Sequence, residues 1–251
     1  MRIVVIGGTG RIGSRLVASL KGQGHEAIPA APSTGVDTLT GEGLAAVLAG
    51  TDVVVDLANS PSFEDAAALA FFQTSGRNLL AAEQAAGVKH HIALSVVGAD
   101  RLPTSGYLRA KLAQEALIEA SPTPWTIVRS TQFFPFIDGI IQGGVVDGQI
   151  RLSPAFMQPI DPEDVVEALT EIVAAPPVNG TVEIAGPEMV PINRFAEEYL
   201  SARADPRPVF PDPRAPYFGA VLEAHSLTAG PDARLGGTSL ADWLRSTIPA
   251  D

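Results

Sequence analysis

Apolar runs of strand length alternate with amphipathic stretches of helix length through the first half of the chain. The runs are Arg2 to Ile6, Glu26 to Ala30, Asp52 to Leu57, His91 to Ser95 and Trp125 to Arg129. Their centres, such as Val53-Val54-Val55, are almost continuously apolar, which is the pattern of strands buried on both faces of a parallel sheet. Between them the spacing predicts helices: one carrying Ile12, Leu16, Val17 and Leu20 on one face, then Gly43 to Ala49, the alanine-rich Phe63 to Ala86, and Leu108 to Ala120. Such alternation reads as an α/β fold with a Rossmann-type doubly wound parallel sheet.

Past Arg129 the elements become shorter and are punctuated by Pro and Gly. A helix start is expected at Asp161-Pro162-Glu163-Asp164, a strand over Thr181 to Ala185, helices over Ile192 to Arg203 and around Leu240 to Leu244. Five prolines between Pro206 and Pro216 suggest an extended linker-like loop. Positions 1–251 read as one domain, in which about 130–251 forms a small C-terminal substrate lobe.

The join between the first strand and first helix carries the strongest chemical signal. Gly7, Gly8, Thr9, Gly10, Arg11, Ile12 and Gly13 follow a β-type run directly and open an amphipathic segment. A strand that stops at a glycine cluster and restarts as a helix makes a site for a dinucleotide pyrophosphate. Gly7 serves the tight turn, Gly10 the approach of backbone N–H groups to phosphate, and Gly13 the packing of helix on strand. The helix then directs its unpaired N–H groups and positive end at the anion.

Composition narrows the partners. A formal net charge of −11 is unsuited to a nucleic-acid partner, which demands clustered cations. No run approaches the ~20 apolar residues that a bilayer span requires, and no secretory leader pattern precedes the first strand. The chain has no cysteine, which fits a cytoplasmic location. The adjacent His90 and His91 match no metal-ligand spacing and read as the entry to a strand, so no metal is expected.

A second constellation suits carbonyl chemistry: Ser95 at a strand end, Tyr107 twelve positions later and Lys111 four beyond that. Tyr107 and Lys111 at i, i+4 share a helix face. An alkoxide formed by hydride addition needs a proton, which a phenol can supply if a nearby ammonium lowers its ordinary pKa of about 10. A serine hydroxyl can orient the substrate oxygen.

The glycine cluster, Ser95 and Tyr107-Leu108-Arg109-Ala110-Lys111 together resemble the short-chain dehydrogenase/reductases, specifically the atypical, NmrA-like (nitrogen-metabolite-repressor-like) NAD(P)-binding branch. Further matches are Asn78 to Ala82, Gly87-Val88-Lys89, Ile127 to Phe133 and Asp161 to Val165. The resemblance implies that Thr9, Gly10, Arg11 and Ile12 hold the pyrophosphate, and that Leu57, Ala58 and Asn59 border the adenosine and nicotinamide riboses. It also implies that Lys111 binds the nicotinamide ribose, and that Ser130, Thr131, Gln132 and Phe133 flank the nicotinamide.

Two departures stand out. Where relatives carry an adenine-ribose reader, this chain has Ala30-Ala31-Pro32-Ser33-Thr34, with no carboxylate to repel a 2′-phosphate. Ser33 and Thr34 as phosphate donors favour NADP(H), with NAD(H) the alternative, and Asp37 stays within reach of adenine. The link to Asp37 is also short, which suggests a truncated element. The helical Asn of the family's proton relay registers on Phe72.

Phe133, Phe134, Phe136, Phe156 and Met157 are candidates for an apolar substrate pocket, with Tyr217 and Phe218 as a lid. The residues read as those of an NADP(H)-dependent reductase or dehydrogenase of a hydrophobic carbonyl/alcohol pair, with a small-molecule substrate and a homodimer as one possible state. The alternatives are a dinucleotide-binding redox sensor and an epimerase or dehydratase using bound NAD(P).

Overall fold

The computed structural model describes residues 1–247. The elements run β1 (Arg2–Ile6), α1 (Arg11–Gly22), β2 (Glu26–Ala30), α2 (Leu44–Leu48), β3 (Val53–Asp56), α3 (Asp65–Ala86), β4 (His90–Val96), α4 (Gly106–Glu119) and β5 (Trp125–Ser130). There follow α5 (Ile137–Gly143), β6 (Val145–Val146), β7 (Gln149–Leu152), β8 (Phe156–Met157), α6 (Pro162–Ala174), β9 (Gly180–Ala185) and β10 (Val190–Pro191). The last are α7 (Ile192–Ala202), β11 (Val209–Pro211), β12 (Arg234–Leu235) and α8 (Leu240–Thr247).

Seven strands form a central sheet in the order β12-β9-β5-β4-β3-β1-β2. The β1–β2, β1–β3, β3–β4 and β9–β12 pairings are parallel. The fold is therefore the doubly wound Rossmann-type α/β class that the alternating pattern predicts. The chain runs from β1 outward to β2, then returns to place β3 on the other side of β1. That reversal is a topological switch point, the position where open α/β sheets bind ligands beyond their strand ends. Only a single 3-10 turn, Pro32–Thr34, and the short α2 separate β2 from β3, so β2 is an edge strand and the expected shortening is real.

The chain divides into two compact units. The first comprises Met1–Ser95, Gly106–Arg129 and Val165–Val182; the second comprises Val96–Ser105, Ser130–Asp164 and Glu183–Asp251. The lobe expected from position 130 onward is thus interrupted, because the apolar stripe of α6 returns to the first unit from Val165.

In the first unit Val4, Ile6, Val54, Leu79 and Val88 pack together with Leu44 and Leu48 of α2. The helix α3 ends on Gly87 at φ +72°, with the Val88 N–H donating to the Glu83 carbonyl at 3.1 Å. Glycine stops the helix there because the left-handed conformation costs it nothing. In the second unit the proline-rich segment contains a strand: β11 pairs in parallel with β7, residue Phe210 opposite Arg151. Pairing across some sixty residues overrides the linker-like composition, since Pro208 and Pro211 sit where an edge strand tolerates a missing N–H. Phe134 stacks on Trp243 at 5.1 Å and meets Phe195 edge-on at 6.0 Å, forming an aromatic core. No helix among the described residues is long and apolar enough to cross a membrane.

The two histidines at the start of β4 are core residues. His90 Nε2 pairs with the Thr126 hydroxyl at 2.9 Å, and burial pushes its pKa down to about 4. His91 Nδ1 lies 2.8 Å from Glu83 Oε1, both side chains almost fully enclosed. Burial works against the His91 imidazolium, but the charge and hydrogen bond of Glu83, with the charge of Asp56, raise its pKa above the ordinary value. A raised folded-state pKa contributes stability that is complete below the unfolded value of 6.5 and is lost as pH rises through the folded one. Glu83→Gln should therefore cost about 3 kcal/mol in urea unfolding below about pH 6, and progressively less toward alkaline pH. A loss that is flat with pH would show that the pair is not ionic.

Candidate active site

The β1–α1 loop is built around close backbone contacts. Gly7 adopts φ +71°, and its N–H donates to the Ala30 carbonyl at 2.9 Å. A Cβ on Gly13 would stand 2.3 Å from the Gly7 carbonyl oxygen, so only glycine lets α1 lie against the loop. Gly8 is equally constrained, because its Cβ would meet Pro29 Cα and the Val5 carbonyl oxygen at 2.6 Å each. Sequence spacing singled out Gly7, Gly10 and Gly13 but not Gly8; its adjacency to the turn was the available signal, while the opposing Pro29 comes from β2. Gly10 is the N-cap of α1 and no side chain caps that helix. The N–H groups of its first turn therefore remain for an anion. Thr9, Gly10 and Arg11 are exposed there, and Ile12 is buried against the sheet.

The expected ribose contacts divide. The Leu57 N–H is used in the sheet toward Ile6, the Ala58 N–H donates to Asp56 Oδ1 at 2.9 Å, and the exposed Asn59 accepts from the Tyr107 hydroxyl at 2.9 Å. Thr34 Oγ1 accepts from the Ala31 N–H and donates to the Ala31 carbonyl, each at 2.9 Å. Asp37 Oδ1 accepts from the Leu39 N–H at 2.7 Å. Both side chains bond within their own turns, and Ser33 and Thr34 are both exposed at the end of β2.

Around α4 the three chemical candidates are placed differently from one another. Tyr107 and Lys111 lie one turn apart on α4, as their spacing requires. Phe72 of α3 lies against both: its ring centroid is 6.1 Å from that of Tyr107 and 4.5 Å from Lys111 Nζ. The expected depression of the phenol by the ammonium is absent here. Burial pushes Tyr107 up to about 12, opposed by the Asn59 hydrogen bond, while Lys111 Nζ donates inward to the Leu94 carbonyl at 2.9 Å and to Gln114 Oε1. Burial also pushes Lys111 down to about 8 against the opposing charges of Asp56 and Glu115. Ser95 is 3% exposed and donates to Glu115 Oε1 at 2.5 Å, while Arg129 holds Oε2 of the same carboxylate at 2.7 Å. In this arrangement Ser95 serves a buried ion pair instead of projecting into open space. Glu115, Arg129 and Gln114 were not singled out from sequence, because a charged residue on a helix reads first as a solvated one.

The second unit carries the remaining candidates. Ser130 Oγ donates to the Thr131 carbonyl at 2.9 Å, and Phe133 bridges to Ile160. Thr131 Oγ1 and Gln132 Oε1 are enclosed without a hydrogen-bond partner. Such orphaned polar atoms are rare in finished interiors and fit a segment that completes its bonding with a ligand. Of the aromatic pocket candidates, Phe134 and Met157 are fully buried core, Phe156 stacks on His225 at 5.4 Å, and Phe136 faces Phe218 at 6.2 Å. Tyr217 lines a cavity of about 230 Å³, together with Ile140, Leu152, Ser153, Ile192 and Phe218. Tyr217 and Ala220 exchange both backbone hydrogen bonds around a tight turn with Phe218 at φ +45° and Gly219 at φ +83°. No cluster of metal-ligating side chains occurs among the described residues.

A profile of the NAD(P)H-binding family matches residues 7–176. No curated protein matches the chain. Among solved structures, MoeE5 in complex with UDP-glucuronic acid and NAD superposes with a TM-score of 0.74 at 19% identity, covering 99% of this chain and 98% of the other. A dTDP-4-dehydrorhamnose reductase from Clostridium acetobutylicum gives 0.71 at 19% identity over 94% and 95%. A nucleoside-diphosphate-sugar epimerase from Staphylococcus aureus gives 0.73 at 14% identity over 98% and 100%. At these identities the superpositions establish the Rossmann-type fold, and the family match extends from the glycine loop through α4 and β5. This chain belongs to the NAD(P)H-binding family.

Proposed function

We propose that the protein is an NADP(H)-dependent reductase or dehydrogenase of the short-chain type, acting on a relatively hydrophobic carbonyl/alcohol pair. The observation that carries this reading is the pairing of an uncapped α1 N-terminus behind a glycine cradle with Tyr107 and Lys111 on one face of α4. Within the first unit the dinucleotide would be held by the backbone of Gly7 to Gly13 and by the strand-end segment Leu57 to Asn59. When bound, its nicotinamide supplies or accepts the hydride at the substrate carbon.

The chain's own contribution is the proton. Tyr107 gives its hydroxyl hydrogen to the nascent alkoxide in reduction and takes it back in oxidation, the O–H turning from Asn59 Oδ1 toward the substrate oxygen. At about 12 the phenol stays protonated and can still donate to the more basic alkoxide, though as a weaker acid than an ordinary phenol. Lys111, one turn on along the same helix, would supply positive charge for the phenolate left behind. The absence of a carboxylate between Ala30 and Thr34, with Ser33 exposed, supports NADP(H) over NAD(H).

A specific observation also favours a second reading, a dinucleotide-binding sensor: the phenol is raised, Ser95 is engaged by Glu115, and Phe72 packs against both Tyr107 and Lys111. The two readings separate on whether NADPH is consumed. Screening ketones, aldehydes and quinones should give oxidation of NADPH in the first case and binding alone in the second. Formation of an isomeric product with no net change in NADPH would instead indicate epimerase chemistry.

For a substrate that is turned over, Tyr107→Phe should lower kcat by about 10²-fold or more while the Kd for NADPH stays within about threefold. Unchanged turnover would refute the role of Tyr107. Gly13→Ala should leave a folded chain whose α1 is pushed off the loop, weakening NADPH binding by about tenfold or more in a fluorescence titration. Undiminished affinity would show that the loop does not hold the pyrophosphate.

A further inference from the structure

Lys111 has an unusual environment for an ammonium. Its residue is 3% exposed, and α3 presents to it the face of Phe72, 4.5 Å from Nζ. An ammonium has three donors, and an enclosed one is costly unless they are met. Two are met by the Leu94 carbonyl of β4 and Oε1 of Gln114. The ring face of Phe72 takes the third side.

The orientation of Gln114 is itself dictated. Its Nε2 donates to Asp56 Oδ2 at 2.8 Å, in a pocket where Gln114 is 2% and Asp56 4% exposed. An ionised carboxylate only accepts, so the amide NH₂ must face Asp56 and the amide oxygen must face the lysine. Asp56 Oδ1 in turn accepts from the Ala58 N–H at 2.9 Å. One continuous buried string therefore links the peptide beyond β3 to the ammonium on α4.

We infer that Gln114, oriented by Asp56, is the positioning residue that holds Lys111 and keeps it protonated, and that the same string fixes the backbone at Ala58 relative to α4. The assignment rests on the reading of Lys111 as the partner of Tyr107, and adds to it two residues outside the dinucleotide and proton-transfer sets. The charged groups around the ammonium are Asp56 from β3 and Glu115 from its own helix. Glu115 is shared with Ser95 of β4 and Arg129 of β5, and Tyr107 is the titratable neighbour one turn back. Glu115 is thus already compensated, so Asp56 acting through Gln114 is the principal support for the charge. Beyond the enclosed Asp56 the string ends at the Ala58 peptide N–H, so it anchors the lysine without giving it a path for protons to solvent.

The chain has only three lysines, and Lys21 and Lys89 are exposed, so selectively ¹³Cε-labelled lysine resolves Lys111 by NMR with Lys111→Met as the assignment control. In the ligand-free protein Lys111 should titrate near the value of about 8 to which burial brings it. Gln114→Met removes the acceptor and Asp56→Asn removes the charge while keeping an acceptor for Gln114. Each should make the charged form at least about tenfold less favoured, moving the titration down by about one pH unit. Two variants guard against one failing to fold. A Lys111 titration identical to the parent's in the folded variants overturns the assignment.

For a carbonyl substrate, activity needs the charged lysine and is lost as pH rises through its pKa, so the alkaline limb of kcat/KM should move down with the NMR titration. A limb that stays put while the NMR titration moves overturns the catalytic half of the assignment. Unchanged turnover in Tyr107→Phe would instead fail the underlying proton-transfer reading and leave the lysine titration standing.

Discussion

Between the β1–α1 loop and the first turn of α1 there is no room for a side chain. The 2.3 Å that would separate a Gly13 Cβ from the Gly7 carbonyl oxygen, and the 2.6 Å approaches at Gly8, force backbone against backbone at the end of the central strand. Because the loop is this tight, α1 starts immediately and aims its uncapped N–H groups back over β1. Because β1 lies between β2 and β3, that same point is where the sheet reverses its winding. The site's position therefore follows from the contact that only glycine allows. The apolar stripes of α2 and α3 close the core beneath it around Val4, Ile6 and Val54.

The chemistry on α4 depends on a second constraint, the placement of charge inside an apolar sandwich. Lys111, Glu115, Asp56, Glu83 and His91 are all enclosed within the first unit. Each is partnered: Glu115 takes Ser95 and Arg129, Glu83 takes His91, and Asp56 takes Gln114 and the Ala58 N–H. Enclosed charges persist only when partnered, and breaking one pair leaves the other member uncompensated. The polar interior thus ties α3 and α4 to the strand ends beside the apolar contacts. It also explains why the Lys111 ammonium is held by the Leu94 carbonyl and Gln114, with the ring of Phe72 on its remaining side.

What the sequence made legible is what short-range periodicity encodes. The strand from Arg2 to Ile6, the glycine turn, the helix after it, and the i, i+4 relation of Tyr107 and Lys111 depend on neighbours within a few positions, and each lies where the pattern puts it. The histidines of β4 read correctly as strand residues for the same reason. The β7–β11 pairing could not be read, because its two strands are separated by about sixty residues and β11 hides in a proline-rich tract. Nor could the burial of Phe134 against Trp243, or the capture of Ser95 by Glu115. In each case a residue with two available uses was claimed by a partner that local sequence does not name. The direction of the Lys111 ammonium is the sharpest example, since spacing puts it on the same helix face as Tyr107 but says nothing of Gln114 and Asp56.

Whether the glycine cradle and the strand ends around it hold a phosphorylated dinucleotide is tested most directly by calorimetric titration of the purified protein with NADPH and with NADH. One NADPH should bind per chain, with NADH binding more weakly, because no carboxylate follows β2 to reward a free 2′-hydroxyl. Binding of neither dinucleotide would contradict that role of the cradle, and a clear preference for NADH would contradict the assignment of Ser33 as the phosphate-facing hydroxyl.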